Sequence, residues 1–203
     1  MFSKMANQPC SVTTVILAGG LGQRIGGNKG MQKLHGKPLI SWVLHSLDRA
    51  GGEILLNVNA EQDTYKEFGC RLVADRIPGW QGPLAGLHAA LCEAQTEYVL
   101  SVPCDTPFLP NNLCALLLEA MGKQATEAAV AVAGGYRQPA IALFNRQVLP
   151  GLEAFLGGGE RKVGDWLDTL HLSEVVFERI EDFDNINSPE DLLRAEKRVA
   201  MRN

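Results

Sequence analysis

Thr13-Thr14-Val15-Ile16-Leu17-Ala18-Gly19-Gly20-Leu21-Gly22-Gln23-Arg24-Ile25-Gly26-Gly27-Asn28-Lys29-Gly30 decides the fold of this 203-residue chain. Its first five residues are β-branched or apolar and stop at Gly19-Gly20, the pattern of a short buried strand. Six of the fourteen residues from Leu17 to Gly30 are glycine. Without a Cβ, successive backbone N–H groups can converge on one anion, and Arg24 and Lys29 add positive charge. The spacing is not that of a P-loop, because Lys29 is followed by Gly30 rather than a hydroxyl residue. It also misses Gly-x-Gly-x-x-Gly, because Ile25 stands at the last position. A flexible surface turn is the plainer alternative.

Outward from this stretch, two hydrophobic periods alternate. Helical spacing runs from Pro38 to Ala50, from Glu61 to Phe68, from Pro83 to Ala94 and from Asn112 to Met121. Strand patterns cover Ile54 to Val58, Arg71 to Ala74, Tyr98 to Val102 and Ala128 to Ala133. The later pattern is looser: a strand over Ala140 to Phe144, helices over Gln147 to Leu156 and Val163 to Leu170, and a strand over Val175 to Ile180. Ser188-Pro189-Glu190-Asp191 opens a last helix, with a Ser N-cap, Pro in the first turn and acids behind it. Such alternation predicts an α/β fold: one three-layer domain, residues 12–203, with a mainly parallel sheet between helices. Residues 1–11 read as a flexible N-terminal segment.

The composition is that of a globular chain, with 46% hydrophobic and 21% charged residues, and excludes a disordered or fibrous one. A net charge of −4 argues against a nucleic-acid partner. No apolar run approaches the ~20 residues of a membrane helix, so no membrane partner is expected. Five scattered cysteines without a Cys-x-x-Cys pair disfavour a thiolate zinc site and a disulfide scaffold and suit a reducing cytoplasm. The charge is uneven. Residues 1–47 hold five cations and no acid, and every acid follows from Asp48 onward. An anion site near the N-terminus is one reading of that asymmetry, and chance clustering is the other.

In parallel sheets ligands gather beyond the carboxyl ends of the strands. Asn57, Asp75 and Asp105 stand there. Asp105, in Pro103-Cys104-Asp105-Thr106-Pro107, could hold Mg²⁺, which takes one or two carboxylates plus substrate phosphates; it could equally cap its own turn. Gly82 and Gly86 allow close approach of a flat ligand. Asn185 and Asn187 would point the same way from extended backbone, toward a substrate or metal-bound water, although turn formation before a capped helix explains them as well. The four histidines share no spacing, and no catalytic triad is found.

Leu17-Ala18-Gly19-Gly20, followed by Arg24, Lys29, Gly30 and Gly36-Lys37-Pro38-Leu39, resembles the opening of nucleotidyltransferases with a Rossmann-like fold. Gln81 to Gly86, Pro103 to Pro107, Gly159-Glu160-Arg161-Lys162-Val163 and Asn185 to Asp191 narrow the resemblance to the molybdenum cofactor guanylyltransferase family, over about residues 12–198. One departure is the single Asn28 between Gly27 and Lys29, where the family often carries two residues including an acid. The resemblance implies GTP and molybdopterin, or molybdenum-molybdopterin, as substrates and Mg²⁺ as cofactor. It implies backbone contacts to the nucleotide from Leu17, Ala18, Gly19 and Gly20, and phosphate binding by Lys29 with Arg24. Asn57 and Asp75 would help hold the nucleoside, Asp105 would contact GTP and Mg²⁺, and Arg161, Asn185 and Asn187 would face the pterin or the metal. Transient contacts with other cofactor-biosynthesis proteins and molybdoenzyme chaperones follow from the same likeness. Other readings are CMP transfer to the same pterin, a sugar-1-phosphate nucleotidyltransferase, for which the chain is short, and a non-catalytic nucleotide-binding module.

Overall fold

The computed structural model describes residues 12–19, 28–47, 52–77 and 82–201. The N-terminal segment, Gly20, Arg24 and Gln81 therefore lie outside the described residues. Nine strands are described: β1 (Val12–Leu17), β2 (Lys33–Leu34), β3 (Lys37–Pro38), β4 (Ile54–Asn57), β5 (Arg71–Val73), β6 (Tyr98–Pro103), β7 (Ala128–Ala133), β8 (Tyr136–Asn145) and β9 (Leu172–Phe177). The α-helices are α1 (Leu39–Leu47), α2 (Gln62–Tyr65), α3 (Pro83–Glu93), α4 (Leu113–Gln124), α5 (Leu149–Gly157), α6 (Val163–Leu167) and α7 (Pro189–Ala200).

Seven strands form one sheet in the order β5-β4-β1-β6-β8-β7-β9, while β2 and β3 pair as a separate hairpin. Within the seven-stranded sheet pairing is parallel except on the two sides of β8, so β8 alone runs backward there. The expected mainly parallel α/β sheet is thus present. Alternate strand residues enter two cores, as a sheet buried on both faces requires. Val15, Leu55, Val99 and Phe144 pack under α3, α5 and α6 with Leu87, Leu152 and Trp166. Ile16, Leu56, Leu100 and Leu143 pack under α1 and α4 with Val43 and Leu117. A smaller cluster of Leu34, Leu39, Ile186, Ala195 and Val199 fastens α7 to the hairpin side.

From β1 the chain steps outward through β4 to β5, then crosses the other face by α3 and returns as β6 on the far side of β1. The order therefore reverses between β1 and β6, which opens a crevice at their carboxyl ends.

Three elements differ from the sequence reading. Pro38 ends β3 instead of opening a helix, which starts at Leu39; the hairpin turns at His35 (φ +49°) and Gly36 (φ +76°). β8 starts at Tyr136, earlier than expected, because Pro139 is absorbed where the β7–β8 register shifts between Val130 and Val132. β9 starts at Leu172 because Ser173, although polar, is buried and satisfied by Thr126 (2.7 Å) and Gln124 (3.1 Å).

Candidate active site

The site is built where β1 leaves the sheet. Ala18 N–H donates to Asn57 C=O (3.0 Å) and Cys104 N–H to Leu17 C=O (3.2 Å), so the ladder holds β1 to both neighbours up to its last residues. Gly19 follows. A Cβ there would lie 2.7 Å from Asn59 Nδ2 and 2.9 Å from Asn57 Oδ1, so only glycine fits against these amides. Gly86, in the first turns of α3, presses from the other side: its Cβ would meet Asn57 Oδ1 at 2.3 Å and Leu17 Cδ2 at 2.8 Å.

Asn57 is thereby clamped between two glycines and is buried. Its Nδ2 donates to Asp75 Oδ1 (2.8 Å) and Val73 C=O (3.3 Å). Asn59 Nδ2 donates to Asp75 Oδ2 (2.8 Å), and Asp75 N–H donates back to Asn59 Oδ1 (2.8 Å). Both oxygens of Asp75 are thus oriented by amide donors. This lattice occupies the β4–β5 side of β1.

A second cluster lies on the β6 side. Asp105 is 8% exposed, just past β6, and its Oδ2 accepts from Lys29 Nζ in an ion pair. Lys29 also donates to Asn187 Oδ1. Thr106, fully buried, donates to Asn185 Oδ1 (2.5 Å), and Ile186 N–H donates to Asp105 C=O (2.9 Å). The segment before α7 is therefore sewn to the end of β6, and Asn185 and Asn187 both turn toward that loop. They also belong to a capped helix start: Asp191 N–H donates to Ser188 Oγ (3.2 Å) and Asn187 N–H to Asp191 Oδ2 (3.0 Å). The turn-forming reading of these asparagines is thus present.

Lys29 begins a 3₁₀ turn, Lys29–Met31, that is tethered from outside. The buried Tyr65 hydroxyl donates to Asn28 Oδ1, and Asn28 Nδ2 donates to Glu61 Oε2 (2.8 Å). A Cβ on Gly30 would come within 2.7 Å of the Tyr65 hydroxyl. Burial drives the Tyr65 phenol well above its ordinary value, so it stays a neutral hydrogen-bonding group. Cys104 is pushed up to about 12 by burial, with Asp105 adding to the rise. A thiol that stays protonated there is no nucleophile.

Arg161 stands apart from these clusters. Its guanidinium donates to the carbonyls of Leu156 (2.7 Å) and Glu160 (2.5 Å) at the end of α5. The sequence reading gives no role to Asn59, Tyr65 or Thr106. For Asn59 the signal was its spacing of two from Asn57 at a strand end; for Tyr65 nothing local marks its partner 37 residues away.

The groups that could ligate a cation beside Asp105 are its carboxylate, the Thr106 hydroxyl 3.5 Å from Oδ1 and the amide oxygens of Asn185 and Asn187, with Lys29 Nζ paired to Asp105 and Asn187 in the free protein. Hard divalent cations prefer such donors, so the residues fit a metal that keeps waters and takes phosphate oxygens as well.

A doubly wound sheet with a glycine exit from its first strand, a lysine and a carboxylate at its switch point defines a class, the nucleotidyltransferases. Residues 14–174 match the model of the MobA-like NTP transferase domain, and the chain belongs to that family. It is 38% identical over 194 residues to the molybdenum cofactor guanylyltransferase of Shewanella frigidimarina, covering 93% of this chain and 97% of that one. The enzyme of the same name from Vibrio cholerae is 39% identical, covering 91% of each. Among solved structures, molybdopterin-guanine dinucleotide biosynthesis protein A from Archaeoglobus fulgidus superposes with a TM-score of 0.78 at 26% identity, over 93% of this chain and 99% of that one. Among the described residues, no helix is long and apolar enough to cross a membrane.

Proposed function

We propose that this protein transfers GMP from GTP to the terminal phosphate of molybdopterin, with or without molybdenum, releasing pyrophosphate. The carrying observation is the meeting of Lys29, Asp105 and Asn187 at the β1–β6 crevice, beside the amide-locked Asn57–Asp75 pair. In this reading Asn57 and Asp75 receive the nucleoside, next to the backbone of Leu17, Ala18, Gly19 and Gly20. Lys29, with Arg24, takes the phosphates. Asn185, Asn187 and Arg161 face the pterin.

A phosphate oxygen of the pterin attacks the α-phosphorus of GTP in line. The new P–O bond forms as the bond to the bridging oxygen breaks, and that oxygen leaves with pyrophosphate. The attacking monoester is already anionic near neutral pH, so no protein base is needed. The protein must instead overcome repulsion between anions. Lys29 supplies a cation fixed by the Tyr65–Asn28 tether, and the asparagines and glycine backbone fix the reactants' orientation. Such positioning is worth about 7–11 kcal/mol in well-aligned systems. Mg²⁺, held by the Asp105 carboxylate, would neutralise charge on the attacking and leaving oxygens.

The cytoplasm is the setting we infer, since Cys70, Cys92, Cys104 and Cys114 are all free thiols. Other proteins of cofactor biosynthesis and molybdoenzyme chaperones would supply the pterin and receive the product. The test is incubation with GTP labelled at the α-phosphorus, Mg²⁺ and molybdopterin. Label is expected in a pterin dinucleotide, with labelled CTP giving none. Transfer from CTP alone, or no transfer to pterin, overturns the reading.

A further inference from the structure

Away from the crevice, on the α3–α5 face, three ligand-bearing side chains converge. His88 and Cys92 are four residues apart on α3 and so share one face of the helix. Glu153 reaches them from α5. His88 Nε2 lies 3.3 Å from Glu153 Oε1 and 3.7 Å from Cys92 Sγ, and the ligand atoms of all three fall within 4.8 Å of one another. A tetrahedral zinc ion with ordinary Zn–N, Zn–O and Zn–S bonds sets N···O near ~3.3 Å and N···S near ~3.6 Å. The observed spacings match both edges before any side chain moves. Among the described residues this is the one trio of His, Cys, Asp or Glu side chains so arranged.

From this geometry we infer a transition-metal site, for zinc or a similar borderline-soft divalent ion, with His88 Nε2, Cys92 Sγ and Glu153 as its protein ligands. Imidazole and thiolate discriminate against Mg²⁺, so it is chemically separate from the oxygen-lined crevice. His88 is 6% exposed, whereas Glu153 is exposed, which leaves a path of entry and an open fourth position for water. Metal binding must displace the thiol proton; burial and the carboxylates of Glu153 and Glu93 oppose that, while the neighbouring Arg76 favours it. With metal on Nε2 the ring proton sits on Nδ1, which has no hydrogen-bond partner among the described residues. Lacking that outer support, the site binds less tightly than closed four-ligand zinc sites. Occupancy ties α3, whose Gly86 walls Asn57, to α5, which leads into the Gly158 to Arg161 segment.

The test uses the full-length protein with reduced thiols and Co²⁺ as the probe. One equivalent should produce a thiolate-to-cobalt charge-transfer band with tetrahedral visible bands. Zn²⁺ should bleach both, excess Mg²⁺ should not, and the melting temperature should climb with Zn²⁺ concentration. Cys92→Ser should abolish the charge-transfer band while Cys70→Ser keeps it. Glu153→Gln, a near-isosteric change at an exposed position, should weaken Co²⁺ binding at least about tenfold. No charge-transfer band, a band that survives Cys92→Ser, or unchanged affinity in Glu153→Gln overturns the site.

Discussion

Asp105 carries one charge for two tasks. It neutralises Lys29 in the free protein and, in the proposed reaction, binds the metal. Replacing it by Asn keeps the shape but removes both, so Asp105→Asn should lower kcat for GMP transfer at least about a hundredfold, the scale of losing a group that stabilises transition-state charge. A steady-state assay at saturating GTP checks this, and turnover within a few-fold of the parent would count against the assignment. Gly86→Ala is a steric matter. Its methyl group would sit 2.3 Å from Asn57 Oδ1, so Asn57 must move. We expect roughly 1–3 kcal/mol of lost stability in urea denaturation and a raised KM for GTP. Asn57, Asp75 and Asp105 could be singled out in the sequence by their strand-end positions and Lys29 by the glycine run before it, while the roles proposed for them came from the family resemblance. Asn59, Tyr65 and Thr106 were not singled out, because their value lies in partners 16, 37 and 79 residues away.

Element by element, strands and helices could be read from periodicity and a mainly parallel sheet from their alternation, but the reversal of β8 could not. Ala128–Ala133 reads the same whether its neighbour is parallel or antiparallel. The available signal was Gly134-Gly135, a two-residue link with φ of +60° and +80°, which a tight hairpin between right-twisted strands requires. Pro139 concealed it by appearing to end the strand. At the other end of the chain, the start of α7 was legible because Ser188-Pro189-Glu190-Asp191 is capping chemistry. That cap also sets the pitch of Asn187, whose N–H is held by Asp191. Ser188→Ala should therefore cost about 1 kcal/mol of stability. It should also raise KM for the pterin more than KM for GTP, because Asn187 loses its fixed approach. Equal effects on both constants would separate the cap from pterin binding.

Across the whole molecule, acid sensitivity follows from carboxylates held below their ordinary values. A side-chain hydrogen bond from Lys66 does this for Asp63, one from Arg76 for Glu93 and one from Lys123 for Glu119; backbone N–H groups do it for Glu181 and Asp191. Their unfolded values are 3.8 for Asp and 4.5 for Glu. A depressed folded pKa gives stability that is present above the unfolded value and lost as pH falls through the folded one. Burial raises Asp184, which works in the opposite sense. Five groups against one predict a urea midpoint that is flat near neutrality and falls steadily below about pH 4.5. Salt should shrink the fall, since most of these pairs are exposed. A midpoint that rises on acidification would contradict the balance.

The backward run of β8 divides the labour of the chain. Every residue proposed for GTP comes before residue 106, where the strands of the large sheet advance in one direction. Every residue proposed for the acceptor comes after the reversal. A new acceptor could thus be written into the second half by exchanging loops there, while the triphosphate machinery of the first half is inherited unchanged. The Lys29–Asn187 contact is the hinge pin on which such an exchange would have to be registered.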